Sequence, residues 1–260
     1  MSKIGAIIQA RMGSTRLPGK VLMPLVGKPV VQQVVERLAW SKTLDKIIVA
    51  TSTNEIDDVL AAFLKKNGIN FFRGDENDVL DRFYQCAKKF KLDVIIRITS
   101  DCPFVDAQLV DEIVNYFLMH KGKLDYAANV NPPTYPDGLD VEVFSFSALE
   151  KSWNEAKLQY QREHVTSFIR DNPQIFKIAN ITYKRDLSKV RLTLDTPEDL
   201  QVVSNIYNSL YSKNPKFSWL DVVNLIEANP EILSPTKHIK RDEKYWQQRA
   251  NELKKVEKHK

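Results

Sequence analysis

The sequence predicts an α/β fold built on a mixed, mostly parallel sheet with helices on both faces. Three observations lead there. Short apolar runs alternate with stretches of helical spacing through residues 4–99. The first run, residues 4–8, is continuously apolar, the pattern of a strand buried on both faces. The segment after the first run gathers charge, glycine and hydroxyl groups, and the segment after the last sets Ser100 and Asp101, as the carboxyl edge of an open parallel sheet does.

The elements follow in order. After the strand at 4–8, residues 29–40 set Val30, Val31, Val34, Val35 and Leu38 at helical spacing. Residues 47–51 form a second strand, and Asn54 is suited to cap a helix carrying Val59, Leu60, Phe63 and Leu64. A third strand at 69–72, a helix at 79–89 and a fourth strand at 94–99 complete a βαβα order, which implies parallel pairing. The rhythm then changes: a helix at 110–119, a strand at 126–130, a Pro-rich loop at 131–138, and period-two alternation at 139–146. Helices at 147–156 and 160–170, strands at 177–183 and 190–194, and helices at 197–211 and 219–228 follow. From about 235 the chain reads as a charged helical tail. No internal repeat or low-complexity linker divides it. The expectation is one domain over 1–234, with a small inserted lobe around 130–190 and a basic helical tail over 235–260.

Composition excludes several classes. With 260 residues, 43% of them hydrophobic, the chain can bury a full core. No apolar run approaches the length of a membrane span. The N-terminal run stops at Gln9 and Arg11 without a small-residue cleavage site, so it reads as a strand rather than a signal peptide. Two cysteines, Cys86 and Cys102, argue against a disulfide scaffold or a cysteine zinc site, and a soluble, cytoplasmic protein is expected. The net charge of +5 hints at nucleic acid until it is located. Residues 237–260 hold nine Lys/Arg against four Asp/Glu, which leaves the first 236 residues neutral. Basicity confined to a tail reads as a solvated helix face, so no nucleic-acid partner is expected.

The segment from Gln9 to Lys20 follows the first strand and concentrates Arg11, Arg16, Lys20, Gly13, Gly19, Ser14 and Thr15. Glycine permits close backbone approach and the cations neutralise charge, which suits a polyphosphate. A Walker loop is excluded, because five residues separate Gly13 from Gly19 and Val21 follows Lys20. The dinucleotide GxGxxG pattern is also absent.

The run Ile7-Ile8-Gln9-Ala10-Arg11-Met12-Gly13-Ser14-Thr15-Arg16-Leu17-Pro18-Gly19-Lys20 resembles the signature A-R-x-x-S-T-R-L-P-G-K. That signature marks the cytidylyltransferases that make CMP-activated acidic sugars, among them 3-deoxy-manno-octulosonate and acylneuraminate cytidylyltransferases. Within that superfamily the chain is most similar to the spore-coat polysaccharide biosynthesis protein F type, over about residues 3–212. The resemblance implies a Rossmann-like nucleotidyltransferase fold, CTP as the nucleotide, Mg²⁺ as cofactor, a sugar acceptor, and a place in surface polysaccharide synthesis. It implies triphosphate contacts from Arg11 and Lys20, and a nucleotide lining of Ala10, Gly13, Ser14, Arg16 and Ser100. Arg73 is expected near the base and ribose, where the chain departs from the octulosonate enzymes; Arg82 reads as a surface helix charge.

Asp101, in Arg97-Ile98-Thr99-Ser100-Asp101-Cys102-Pro103, ends the fourth strand and is either a metal carboxylate or a turn residue. In Leu194-Asp195-Thr196-Pro197-Glu198-Asp199-Leu200, helix capping accounts for Thr196 through Asp199 and leaves Asp195 unexplained. The relatives carry metal-binding aspartates at both positions. The resemblance therefore implies Asp101 and Asp195 as metal ligands, with Arg11, Lys20 and Asp101 catalytic. Brought together at one sheet edge without a cation, the two carboxylates would repel, and one would hold its proton more tightly than a free Asp. Asp140 and Glu142 share one side of a strand and either meet the acceptor or face solvent; Arg162 and His164 are further acceptor candidates. Rival readings are a guanylyltransferase or other NDP-sugar synthase, a glycosyltransferase, for which Asp101 supplies only one Asp of a D-x-D pair, and a catalytically dead nucleotide-binding regulator. A homodimer is an open expectation.

Overall fold

The computed structural model describes residues 2–257. Strand β1 (Ile4–Gln9) leads into a loop, a hairpin of β2 (Pro24–Leu25) and β3 (Lys28–Pro29), and helix α1 (Val30–Leu38). Then come β4 (Lys46–Ser52), α2 (Asp58–Lys66), β5 (Phe71–Gly74), α3 (Val79–Phe90), β6 (Val94–Thr99) and α4 (Ala107–Met119). The inserted region holds β7 (Tyr126–Ala128), β8 (Glu142–Ser145), α5 (Phe146–Glu155), α6 (Gln159–Glu163), α7 (Ser167–Asp171) and β9 (Ile178–Asn180). Helices α8 (Pro197–Leu210), α9 (Trp219–Ala228) and α10 (Glu243–Glu257) close the chain's described part.

The main sheet has the order β5-β4-β1-β6-β8-β7-β9. Strands β5, β4, β1 and β6 are parallel, β8 runs antiparallel to β6 and β7, and β9 pairs parallel with β7. The alternating side chains of β1 enter two separate cores. Ala6 and Ile8 pack with α1, α4 and α8, while Ile7 packs with α3 and α5, and all three are fully buried. This is the both-faces burial that the apolar run at 4–8 predicts. Asn54 caps as expected, its side chain accepting from the Ile56 amide at the 3₁₀ turn Glu55–Asp57 that opens α2.

Two expected elements differ. The helix expected over 160–170 is split into α6 and α7 at Val165, whose φ of 51° lies in the left-handed region. Residues 190–194 form no strand of the sheet. Their backbone partners are loops: the Asp137 amide donates to Val190 O, the Leu192 amide to Asp137 O, and the Leu194 amide to Asp101 O (2.8 Å). The alternation of apolar residues there records burial of Leu192 and Leu194 and not a ladder. The basic tail is likewise not simply solvated: α10 packs on α6, and Glu252 accepts from the Tyr160 amide at 3.1 and 3.2 Å.

Gly138 sets the path of 190–194. Its φ is 102°, and a Cβ there would lie 2.7 Å from the carbonyl carbon of Leu192. Substituting Gly138→Ala is expected to destabilise the protein by about 1–3 kcal/mol, from backbone strain plus the forced displacement of 190–194. Urea unfolding measures it, and an unchanged midpoint would contradict the close approach.

Candidate active site

In the parallel half of the sheet the chain first builds outward from β1 through β4 to β5, then returns to place β6 on the other side of β1. Loops leaving the carboxyl ends of β1 and β6 therefore diverge, and a crevice opens between them. A cleft of about 410 Å³ lies there, lined on one side by Ala10, Arg11, Ser14, Arg16 and Lys20 and on the other by Ser100 and Asp101.

The first loop is held by backbone bonds and one buried carboxylate. The Ser14 and Gly19 amides both donate to Met12 O, and Gly19 takes a φ of 72°. Asp57, 1% exposed, accepts from the Met12 amide at 2.6 Å through Oδ1, while its Oδ2 takes the Ser52 amide and hydroxyl. Asp57 thus fixes where the loop leaves the sheet. Gly13 lies in the turn closed by the Ser14 amide on Met12 O and is not among the residues that line the cleft. The second loop is tied to the first strand by the Ser100 amide donating to Gln9 O.

Lys20 crosses the cleft. Its Nζ donates to Asp101 Oδ2, Asp195 Oδ1 and Leu194 O, each at 2.8 Å, so the ammonium protons are all used. Burial works against the charged form, but the charges and hydrogen bonds of Asp101 and Asp195 outweigh it and raise the Lys20 pKa. For Asp101, burial alone would raise the pKa; Lys20 reverses this and leaves the carboxyl below its ordinary value. The sheet edge does gather both acids, but a lysine ammonium stands between them, so the repulsion expected without a cation does not arise. Asp195 also meets Arg16 at 2.9 Å and Arg191 at 3.6 Å. The capping reading holds beside it, since Thr196 and Asp199 form a capping box and Arg191 grips Asp199 at 2.8 and 2.9 Å. Capping accounts for Asp199, and Asp195 is left to face Lys20.

The other candidates divide. Arg82 does not lie on the surface; it is 2% exposed, lines the cleft, donates to Asp75 O at 2.7 Å, and has an Nε without a partner. Burial, with Arg11 nearby, pushes its pKa down to about 10. The helical face shared with Val79 and Cys86 is the signal that points it inward. Arg11 makes one loose ion pair, with Glu76 at 3.9 Å. Arg73 is committed to Ser52 O, Asn54 O and Asp58, outside the cleft lining. Asp140 leads into β8 and pairs with Arg241 at 2.6 Å, and Arg162 is clamped on Asp78. Glu142 is 3% exposed, bonded to Arg97 (2.5 Å), Tyr126 (2.7 Å) and Thr166 (2.6 Å). None of these three lines the cleft. His164 does, with Gln159 and Glu163 of α6 and Lys244 of α10. Burial first, then the charge of Arg97, lower the His164 pKa, so the imidazole is neutral at pH 7. It stands edge-on to the Tyr245 ring, with Nε2 3.4 Å from Gln248 Oε1.

An edge of this kind is suited to grip the phosphates of a nucleotide, and the fold around it is that of the nucleotidyltransferases. Comparison with known proteins narrows the class. The cytidylyltransferase family profile matches residues 5–254, and the chain belongs to that family. The spore coat polysaccharide biosynthesis protein SpsF of Bacillus subtilis is 36% identical over 238 residues, 89% of this chain and 97% of its own. A solved cytidylyltransferase from Leptospira borgpetersenii serovar Hardjo-bovis superposes with a TM-score of 0.87 at 37% identity, over 93% of this chain and 100% of that one. The 8-amino-3,8-dideoxy-manno-octulosonate cytidylyltransferase of Shewanella frigidimarina is 34% identical over 128 residues, 48% of this chain and 51% of its own. No helix among the described residues is long and apolar enough to cross a membrane.

Glu142 yields a pH prediction. Burial would raise its pKa, but Arg97 and Arg170, with hydrogen bonds from Thr166 and Tyr126, bring it down to about 2. A carboxyl depressed on folding adds stability that is fully present above its unfolded value near 4.5 and is lost as pH falls toward the folded value. Glu142→Gln leaves Arg97 buried without its partner and should cost about 3 kcal/mol at pH 7. The gap from wild type should close between about pH 4.5 and pH 2. A gap in unfolding free energy that stays constant down to pH 2 would contradict the ion pair.

Proposed function

We propose that this cytidylyltransferase transfers CMP from CTP to an acidic sugar, with the phosphates held between the loop after β1 and the Asp101–Asp195 pair. The observation that carries the reading is Lys20, bonded to both carboxylates inside a cleft that also presents Arg11, Arg16 and Arg82. Cations and a carboxylate pair at one sheet edge suit a polyanion that arrives with its own metal. The octulosonate cytidylyltransferase among the relatives supports an acidic sugar as acceptor.

The donor set fits Mg²⁺. Asp101 Oδ2 and Asp195 Oδ1 are hard oxygen donors aimed at one point, now marked by the Lys20 ammonium. Mg²⁺ commonly takes one or two carboxylates and completes its octahedron with phosphates and water. Among the described residues no third His, Cys, Asp or Glu joins the pair, in keeping with such a shared site. When bound there, the ion neutralises phosphate charge and lowers the pKa of an attacking hydroxyl.

In the transfer, a sugar hydroxyl oxygen bonds to the α-phosphorus and the bond to the β-phosphate oxygen breaks, releasing pyrophosphate. Arg11 and Arg16 hold the phosphates, and Lys20 and Arg82 take up the charge that grows on the leaving group. The opposite wall, with Gln159, Glu163, His164 and Lys244, receives the sugar; His164, neutral at pH 7, is its base for the hydroxyl proton. Asp140, Glu142, Arg162 and Arg73 have internal partners and serve the frame around the cleft.

Titration with the four nucleoside triphosphates should raise the melting temperature most with CTP. Arg11→Ala should keep the melting temperature of the free protein, since its one ion pair is long and exposed, and should lower kcat/KM for CTP about a hundredfold. A larger shift with GTP, or near-normal turnover in Arg11→Ala, would overturn the assignment of the nucleotide or of the loop respectively.

A further inference from the structure

We propose that Lys20 occupies the place of the divalent metal in the free enzyme, and so makes metal binding conditional on nucleotide binding. The inference rests on the reading of Asp101 and Asp195 as the metal carboxylates and goes beyond it.

The geometry is specific. The Lys20 side chain is 10% exposed, and its three ammonium bonds, to Asp101, Asp195 and Leu194 O, are equal at 2.8 Å. An ammonium so placed is a full occupant of the position between the carboxylates. A divalent ion can bridge them only if Lys20 leaves. The surroundings decide what leaving entails. Arg16 stands on the free oxygen of Asp195 at 2.9 Å, Arg191 is 3.6 Å from the same carboxylate, and the buried Arg82 and the loop's Arg11 line the cleft. A displaced ammonium therefore enters a zone already rich in guanidinium groups, where Glu76 is already paired with Arg11 and Glu163 already accepts from Gln248, and an uncompensated charge in a partly desolvated site is costly. A triphosphate changes this. It supplies the anion that takes the ammonium, and the metal it carries takes the vacated position. The carboxylates keep a cation throughout, and the charges exchange partners.

Metal and nucleotide then bind with positive coupling, and the coupling is reciprocal. Lys20 has two roles in sequence: counter-ion of the acidic pair in the free protein, and phosphate ligand in the complex. The same arrangement keeps the loop after β1 tied to residues 194–195 before any substrate arrives.

The test uses Mn²⁺ as probe and needs no activity. Electron paramagnetic resonance titration of nucleotide-free wild-type protein should show no saturable Mn²⁺ site below about 1 mM, a weak affinity for a two-carboxylate site. Lys20→Met should bind Mn²⁺ at least tenfold more tightly without nucleotide, because its competitor is gone. Lys20→Arg, which keeps a cation, should stay as weak as wild type. Adding Asp101→Asn to Lys20→Met should abolish the gain, which places the ion between the carboxylates. Equal Mn²⁺ affinity in wild type and Lys20→Met would overturn the proposal. If Lys20→Met does not fold, the wild-type protein decides alone: tight Mn²⁺ binding that CTP leaves unchanged would overturn it, and binding that appears only with CTP would support it. Failure of the CTP reading is separately visible as absence of a CTP thermal shift, since the Lys20→Met comparison contains no nucleotide.

Discussion

Strand β1 is hydrogen bonded on both edges, to β4 and β6, and buried on both faces. A strand in that position has no freedom left, and the order in which its neighbours are laid down determines the rest. Because the chain places β4 and β5 on one side before returning to place β6 on the other, the two loops at the carboxyl end part company at one point. Arg11, Arg16, Lys20, Arg82, Asp101 and Asp195 all line the cleft that opens there. Asp57 pins one loop, the bond from Ser100 to Gln9 pins the other, and Gly138 lets residues 190–194 reach across to deliver Asp195.

Charge is arranged at this point in alternation. Asp140 meets Arg241, Arg241 and Arg191 both meet Asp137, and Arg191 reaches Asp195 and Asp199. Asp195 meets Arg16 and Lys20, and Lys20 meets Asp101. Asp137 is raised to about 7, first by burial and then by Asp140. Asp101 escapes that fate because the Lys20 ammonium, shared with Asp195 and Leu194 O, stands 2.8 Å from its carboxylate. The series also connects the segment before α10 to the acidic pair, so the C-terminal part of the chain is electrostatically continuous with the site.

Much of this was legible from residues. The strand at 94–99 and the helix at 219–228 fall where periodicity puts them, and the loop from Gln9 to Lys20 identifies its own family. What was illegible has one physical origin: tertiary partners override local pattern. Residues 190–194 alternate like a strand, yet their hydrogen bonds go to loops. Val165 breaks a helix that its neighbours favour. Asp140 and Glu142 look alike on one strand face, but Arg241 and Arg97 claim them from distant segments. The lysine between the acids was hidden for a further reason. The partners of Lys20 lie 81 and 175 residues away, and no local pattern in its loop records them.

Helix α10 carries a consequence of a different kind. It caps α6 through Glu252, seats Tyr245 on His164, and brings Lys244 to the cleft. The loop after β1, the acidic pair and the α6 residues of the cleft are all present in sequence by residue 195, while Lys244 lies beyond 240. Exchange of that late helix would alter Lys244 and the packing of Tyr245 on His164 and leave the loop after β1 and the acidic pair in place, so that one edge of the cleft can vary without the other.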